Sequence, residues 1–186
     1  MLEQPCSAKQ PGSARQRLAV TRACRLIESC GEPPDLAALA AHTGLSRFHF
    51  HRVFKRLTGV TPKAYATAQR TRRVREGLAR GASVTAAIYA AGFGSSGRFY
   101  ASATQRLGMR PSVARAGGAG ETIRFAVGQC SLGAVLVAAT GKGLCAIALG
   151  DDPGSLLTEL QGRFPKAALA GGDADFERWV AQVVGL

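Results

Sequence analysis

Apolar positions recur at helical spacing through roughly the first 117 residues, and at strand-like spacing after them. Ala19, Ala23, Leu26, Ile27 and Cys30 form one stripe of a helix that begins near Ser13 and stops at Gly31-Glu32-Pro33-Pro34. Asp35 is placed to cap a short second helix with Leu36, Leu39 and Ala40 inward. After Gly44, Ser46 stands at the cap of a third helix, whose Phe50, Val53, Phe54 and Leu57 follow the i, i+3, i+4, i+7 pattern of a buried face. Pro62 sits where a fourth helix tolerates proline, and that helix runs to about Arg80 with Arg70, Arg72, Arg73 and Arg75 on the way. A fifth helix carries Val84, Ala87, Ile88 and Ala91 inward. Ser95 or Ser96 caps a sixth, with Phe99, Ala103 and Leu107 inward, and a short helical piece follows Pro111.

The pattern repeats. Ala41-His42-Thr43-Gly44-Leu45-Ser46 is similar to Tyr89-Ala90-Ala91-Gly92-Phe93-Gly94, and Gly59-Val60-Thr61-Pro62 to Gly108-Met109-Arg110-Pro111. A unit of short helix, glycine turn and longer helix therefore occurs twice, joined by one arginine-rich helix. Beyond Gly120 the periodicity changes to two. Ile123, Phe125 and Val127 alternate, and apolar runs at 134–139 and 144–149 flank Thr140-Gly141-Lys142-Gly143 as in a hairpin. Asp151-Asp152-Pro153 opens a helix with Leu156, Leu160 and Phe164 on one face, and Phe176, Trp179, Val180 and Val183 mark a last one. The expected architecture is an all-α bipartite helix-turn-helix domain over 15–117, after a disordered tail over 1–14. A small partial α/β domain, a hairpin plus two helices, follows over 118–186.

Charge separates the same two parts. The chain holds 24 Lys+Arg against 12 Asp+Glu, and residues 1–118 hold 19 of the basic ones and 5 of the acidic ones. The basic part suits a polyanion. No apolar stretch is long enough to span a bilayer, because the one at 132–149 is interrupted at Thr140–Gly143. The first residues lack the apolar core of a secretory leader, so a cytoplasmic protein with no membrane partner is expected.

A helix on such a scaffold enters the major groove, where each base pair offers its own donor and acceptor pattern. With Phe50 and Phe54 inward, Arg47, Phe48, His51, Arg52 and Lys55 face outward. Arg47, Phe48, His51 and Arg52 are the candidate base readers: Arg52 has the planar fork that pairs with guanine, and Phe48 suits a thymine methyl. Ser96 and Arg98 are their counterparts on the sixth helix. Lys55, Arg56, Arg70, Arg73 and Tyr100 are candidate phosphate contacts, adding affinity but little specificity. His49 and His51 lie two apart, on different sides of a helix, so they are not expected to share a metal. Cys130 and Cys145 stand in apolar surroundings that raise a thiol pKa, so buried structural thiols are expected rather than nucleophiles. The Asp151-Asp152 pair is read as a helix start, favoured there electrostatically.

Gly44-Leu45-Ser46-Arg47-Phe48-His49-Phe50-His51-Arg52-Val53-Phe54-Lys55-Arg56-Leu57-Thr58-Gly59-Val60-Thr61-Pro62 resembles the first recognition helix of the AraC/XylS family, and 89–111 resembles the second. In that family the positions matching Phe48, His51 and Arg52 face bases. Ala101 stands where members often carry arginine, which weakens the expected readout by the second unit. Arg124-Phe125-Ala126-Val127, Gln129-Cys130-Ser131-Leu132-Gly133 and Gly143–Asp152 resemble the N-terminal subdomain of O6-alkylguanine-DNA alkyltransferases. The combination is that of the Ada-like family, which senses DNA methylation damage. The resemblance implies a monomeric regulator that binds double-stranded DNA and engages RNA polymerase. It also implies two methyl-acceptor cysteines, one in a four-cysteine zinc domain and one in a Pro-Cys-His-Arg motif. Cys6 stands where the last zinc cysteine would be, but its three partners do not precede it, and Pro-Cys-His-Arg does not occur. The expectation is therefore a fragment with a truncated alkyltransferase portion, no cofactor of its own and no transferase activity.

Overall fold

The computed structural model describes residues 13–184, apart from the side chains of Arg98, Trp179 and residues 182–184. The helices are α1 Ala14–Ser29, α2 Leu36–Thr43, α3 Arg47–Thr58, α4 Pro62–Ala79, α5 Val84–Ala90, α6 Ser96–Leu107 and α7 Pro111–Arg115. Strands β1 Thr122–Cys130, β2 Gly133–Thr140 and β3 Gly143–Gly150 follow, then α8 Pro153–Arg163, β4 Ala168–Gly171 and α9 Ala174–Val184. The chain forms two compact units, residues 1–70 and 71–186, with α4 passing from one into the other.

The first unit is held by its caps and one core. Ser13 and Gln16 form a reciprocal capping box at α1, and the Asp35 and Ser46 side chains accept from the backbone N–H groups of Ala38 and His49. Val20, Ala23, Ile27, Leu39, Ala40, Phe50, Val53, Phe54 and Ala66 pack together. The Phe50 and Phe54 rings lie 5.6 Å apart, and Tyr65 meets Phe54 edge-on at 5.7 Å. Tyr65 also donates to a Glu28 carboxylate oxygen at 2.5 Å, tying α4 to α1. Between α2 and α3 the chain turns at Gly44, whose φ of 67° lies in the left-handed region that glycine adopts without strain. Its repeat counterpart Gly92 has φ 79°.

The second unit packs α5 and α6 through Val74, Leu78, Ala87, Ile88, Ala91, Phe99, Ala103 and Leu107. Its sheet has the strand order β3-β2-β1-β4. β1–β2 and β2–β3 are antiparallel, with Phe125 opposite Ala138 and Val137 opposite Ile147, and β4 runs parallel to β1 with Leu169 opposite Ile123. One sheet face packs Ile123, Leu136 and Ala138 against Leu156, Leu160 and Phe164, and the other packs Val135 and Val137 against Phe176 and Val180.

Three differences from the sequence reading have physical causes. β4 was not expected, because Ala168–Gly171 is too short and too small-sided to show a period; its place comes from pairing with β1. Leu36, expected inward, is 37% exposed, since it occupies the first helical position after the cap while Leu39 and Ala40 face the core. The compact units divide at 70/71, within α4, rather than near residue 117. The cause is that Met109, after α6, is fully buried in the sheet's own core, and that the buried Thr140 hydroxyl donates to the Gly108 carbonyl.

Candidate nucleic-acid interface

Burial of Phe50, Val53 and Phe54 decides which side of α3 meets solvent. Arg47, Arg52, Lys55 and Arg56 are exposed, and Phe48 is 80% exposed, an unusual state for a phenylalanine on a well-formed helix. His51 is half-buried. No residue of α3 is acidic, so its outward face is uniformly basic around one aromatic ring. Arg47, Phe48, His51 and Arg52 converge with Leu36 of α2 on an open groove of about 590 Å³. Leu36 is thus a site residue that sequence reasoning placed inside; no periodic signal marks a side chain at a helix start that leans on a neighbouring helix. His51 also lines a second groove of about 490 Å³, shared with Pro33, Pro34, Leu39, Lys63 and Arg70.

The candidate phosphate contacts differ among themselves. Lys55 is exposed. Arg56 is exposed and donates from Nη2 to Gln16 Oε1 at 2.6 Å, which ties the end of α3 to the start of α1. Arg70 and Arg73 are half-buried on α4.

In the second unit, α6 begins after Ser95, whose extended backbone serves as the cap without a side-chain hydrogen bond. Phe99 is buried and meets Phe93 edge-on at 5.0 Å. Ser96 is half-buried, Tyr100 is 51% exposed and Ala101 is exposed. The side chain of Arg98 lies outside the described residues. Tyr89 on α5, 56% exposed, adds an aromatic ring that the sequence reading did not single out, since it aligns with a plain alanine in the first repeat.

Arg75, a further arginine of α4, is turned into the second unit. Its Nη2 donates to the carbonyl oxygens of Arg106 and Leu144, stapling α4 to the end of α6 and to β3. Burial holds its pKa below the usual arginine value, with the nearby charge of Arg163 adding to the effect.

The thiols differ in burial: Cys145 is buried as expected, whereas Cys130, also expected to be buried, is only half-buried at the end of β1. Cys145 is buried, and desolvation pushes its pKa up to about 11 against the opposing pull of Arg163 and Arg75. Cys24, Cys30 and Cys130 are half-buried, and burial also raises the Cys24 thiol. Among the described residues no three His, Cys, Asp or Glu side chains form a metal-binding group; Cys6 lies outside them. No helix of the described residues is long and apolar enough to cross a membrane.

A short helix, a glycine turn and a longer helix, occurring twice, form a helix-turn-helix arrangement, and residues 39–117 match the helix-turn-helix domain family. Similarity extends through the sheet as well. The chain is 46% identical over 184 residues to the bifunctional transcriptional activator/DNA repair enzyme Ada of Escherichia coli K12, covering 97% of this chain and 52% of that protein. It is 45% identical over the same length to the regulatory protein ada of Salmonella typhimurium LT2. The chain spans about half the length of these curated relatives. No solved structure matches it.

Proposed function

We propose that this chain is a sequence-specific transcriptional regulator of Ada type, reading duplex DNA upstream of alkylation-response genes. The observation that carries the reading is the outward face of α3, where two arginines, a half-buried histidine and an exposed phenylalanine share one groove. That set matches the chemistry of a major-groove surface: guanine acceptors for Arg47 or Arg52, a hydrogen-bonding edge for His51, a thymine methyl for Phe48 and Leu36. The second unit supplies fewer donors and acts through backbone contacts, with Tyr100 and Tyr89 at its exposed face. Lys55 meets phosphate; Arg56 does so only by leaving Gln16. Arg70 and Arg73, being half-buried, contribute through the field they add rather than by close contact.

On this reading the protein works as a cytoplasmic monomer on the duplex, with RNA polymerase as its protein partner. Residues 118–186 are part of the N-terminal subdomain of an alkyltransferase. A gel-shift titration with a duplex selected from a random pool, competed by unrelated duplexes, tests the reading: equal competition by all of them overturns it.

The alternative is a methylated-DNA–protein-cysteine methyltransferase. The similarity of the sheet region to a bifunctional repair enzyme favours it. A buried thiol with a pKa near 11 is a poor acceptor. Incubation with O6-methylguanine duplex and intact-mass spectrometry is expected to show no added methyl on these 186 residues.

A further inference from the structure

A small cavity of about 20 Å³ lies in the second unit among Arg75, Leu78, Leu107, Cys145, Arg163 and Phe164. Two of its lining residues are arginines and none is acidic. Arg75 spends one nitrogen on the carbonyls of Arg106 and Leu144, while its Nε is buried without an acceptor among the described residues. Arg163, in the last turn of α8, lies with its guanidinium 5.5 Å from the Phe164 ring centre. Neither arginine forms an ion pair among the described residues.

Two like charges beside an apolar wall repel each other, and burial strengthens the repulsion because water no longer screens it. Carbonyl oxygens carry only partial charge and leave the pair uncompensated. The space is that of one water-sized sphere, about the minimum for a single bound atom. We infer that this cavity is an anion site, holding a halide ion or one oxygen of a small oxyanion between Arg75 and Arg163. The duplex itself is not the source of that oxygen. The cavity sits at the Leu107 end of α6, a helix of twelve residues, about 18 Å from the end that carries Ser96. Occupancy joins α4, α6, β3 and α8 at one point, so the ion serves to fasten the second reading unit to the sheet.

The test is thermal unfolding of the full chain at constant ionic strength in chloride, in phosphate and in gluconate, a bulky and weakly binding monoanion that serves as the reference. Far-ultraviolet circular dichroism follows the unfolding. Wild type is expected to melt about 3 °C or more higher in chloride or phosphate than in gluconate. Arg163→Gln is expected to lose that difference and, in gluconate, to melt no lower than wild type, because it removes the repulsion. Arg115→Gln, an exposed arginine of α7, keeps the difference and controls for overall charge. A response to chloride alone assigns a halide; a response to phosphate assigns an oxyanion. Equal responses in all three proteins overturn the inference, and so does an Arg163→Gln that is destabilised alike in every salt.

Discussion

Arg52 illustrates what a single exposed side chain on α3 is expected to contribute. Truncation to alanine should cost about 1–3 kcal/mol of specific binding and relax preference at one base position, measured by fluorescence anisotropy against a panel of single-base variants. Phe48 and Leu36 make a different demand, since an apolar pair gains only from an apolar partner. Replacing thymine by deoxyuridine in the bound duplex removes just the methyl groups. It should weaken wild-type binding at one thymine and leave Phe48→Ala unaffected; equal loss in both would remove methyl recognition from the account. Cys145 should resist a thiol reagent at about pH 8 in the folded chain and react on unfolding, as its raised pKa and burial require. Which α3 residues point outward was readable from the spacing of Phe50, Val53 and Phe54. The fates of Arg56 and Arg75 were not, because a long flexible arginine reaches partners that lie tens of residues away in sequence.

At the scale of elements, the caps carried most of the legible signal. Ser13, Asp35, Ser46 and Asp152 each stand one residue before a helix and accept from its backbone. The four residues of β4 carry no periodic signal, because strand identity there comes from pairing with β1. Two helix starts give a pH dependence of known sign. Asp152 is held below the usual carboxylate pKa by hydrogen bonds from the side chain and backbone of Ser155, and Asp173 by the backbone N–H of Phe176 with Arg124 beside it. A depressed folded pKa means that this stabilisation is complete above the unfolded value of about 4 and is lost as pH falls through the folded one. Melting temperature should therefore fall as pH drops below about 4, less steeply in Asp152→Asn than in wild type. The seam between α6 and the β2–β3 hairpin is the other sensitive element. Gly108 has φ 73°, and a Cβ there would come within 2.6 Å of the Gly143 carbonyl oxygen and 2.8 Å of the Cys145 nitrogen. Gly108→Ala should destabilise the second unit by about 2 kcal/mol or more in urea unfolding, while leaving the first unit unchanged.

For the whole molecule, charge and similarity point the same way. The excess of basic residues lies in the part that carries both helix-turn-helix units, and the sheet region that follows is slightly acidic. The repeat made the doubled module legible from sequence. That the second unit shares its compact body with the sheet was not legible, since it depends on Met109 and Thr140, neither of which belongs to a periodic stripe. The central claim is that the outward face of α3 reads base sequence. It is tested most directly by equilibrium titration of wild type and Arg52→Ala against a selected duplex and an unrelated one at the same salt concentration. The account predicts that wild type prefers the selected duplex by about 10³-fold or more, and that the substitution erodes this preference while leaving affinity for the unrelated duplex nearly unchanged. Equal weakening on both duplexes, or no preference in wild type, would contradict it.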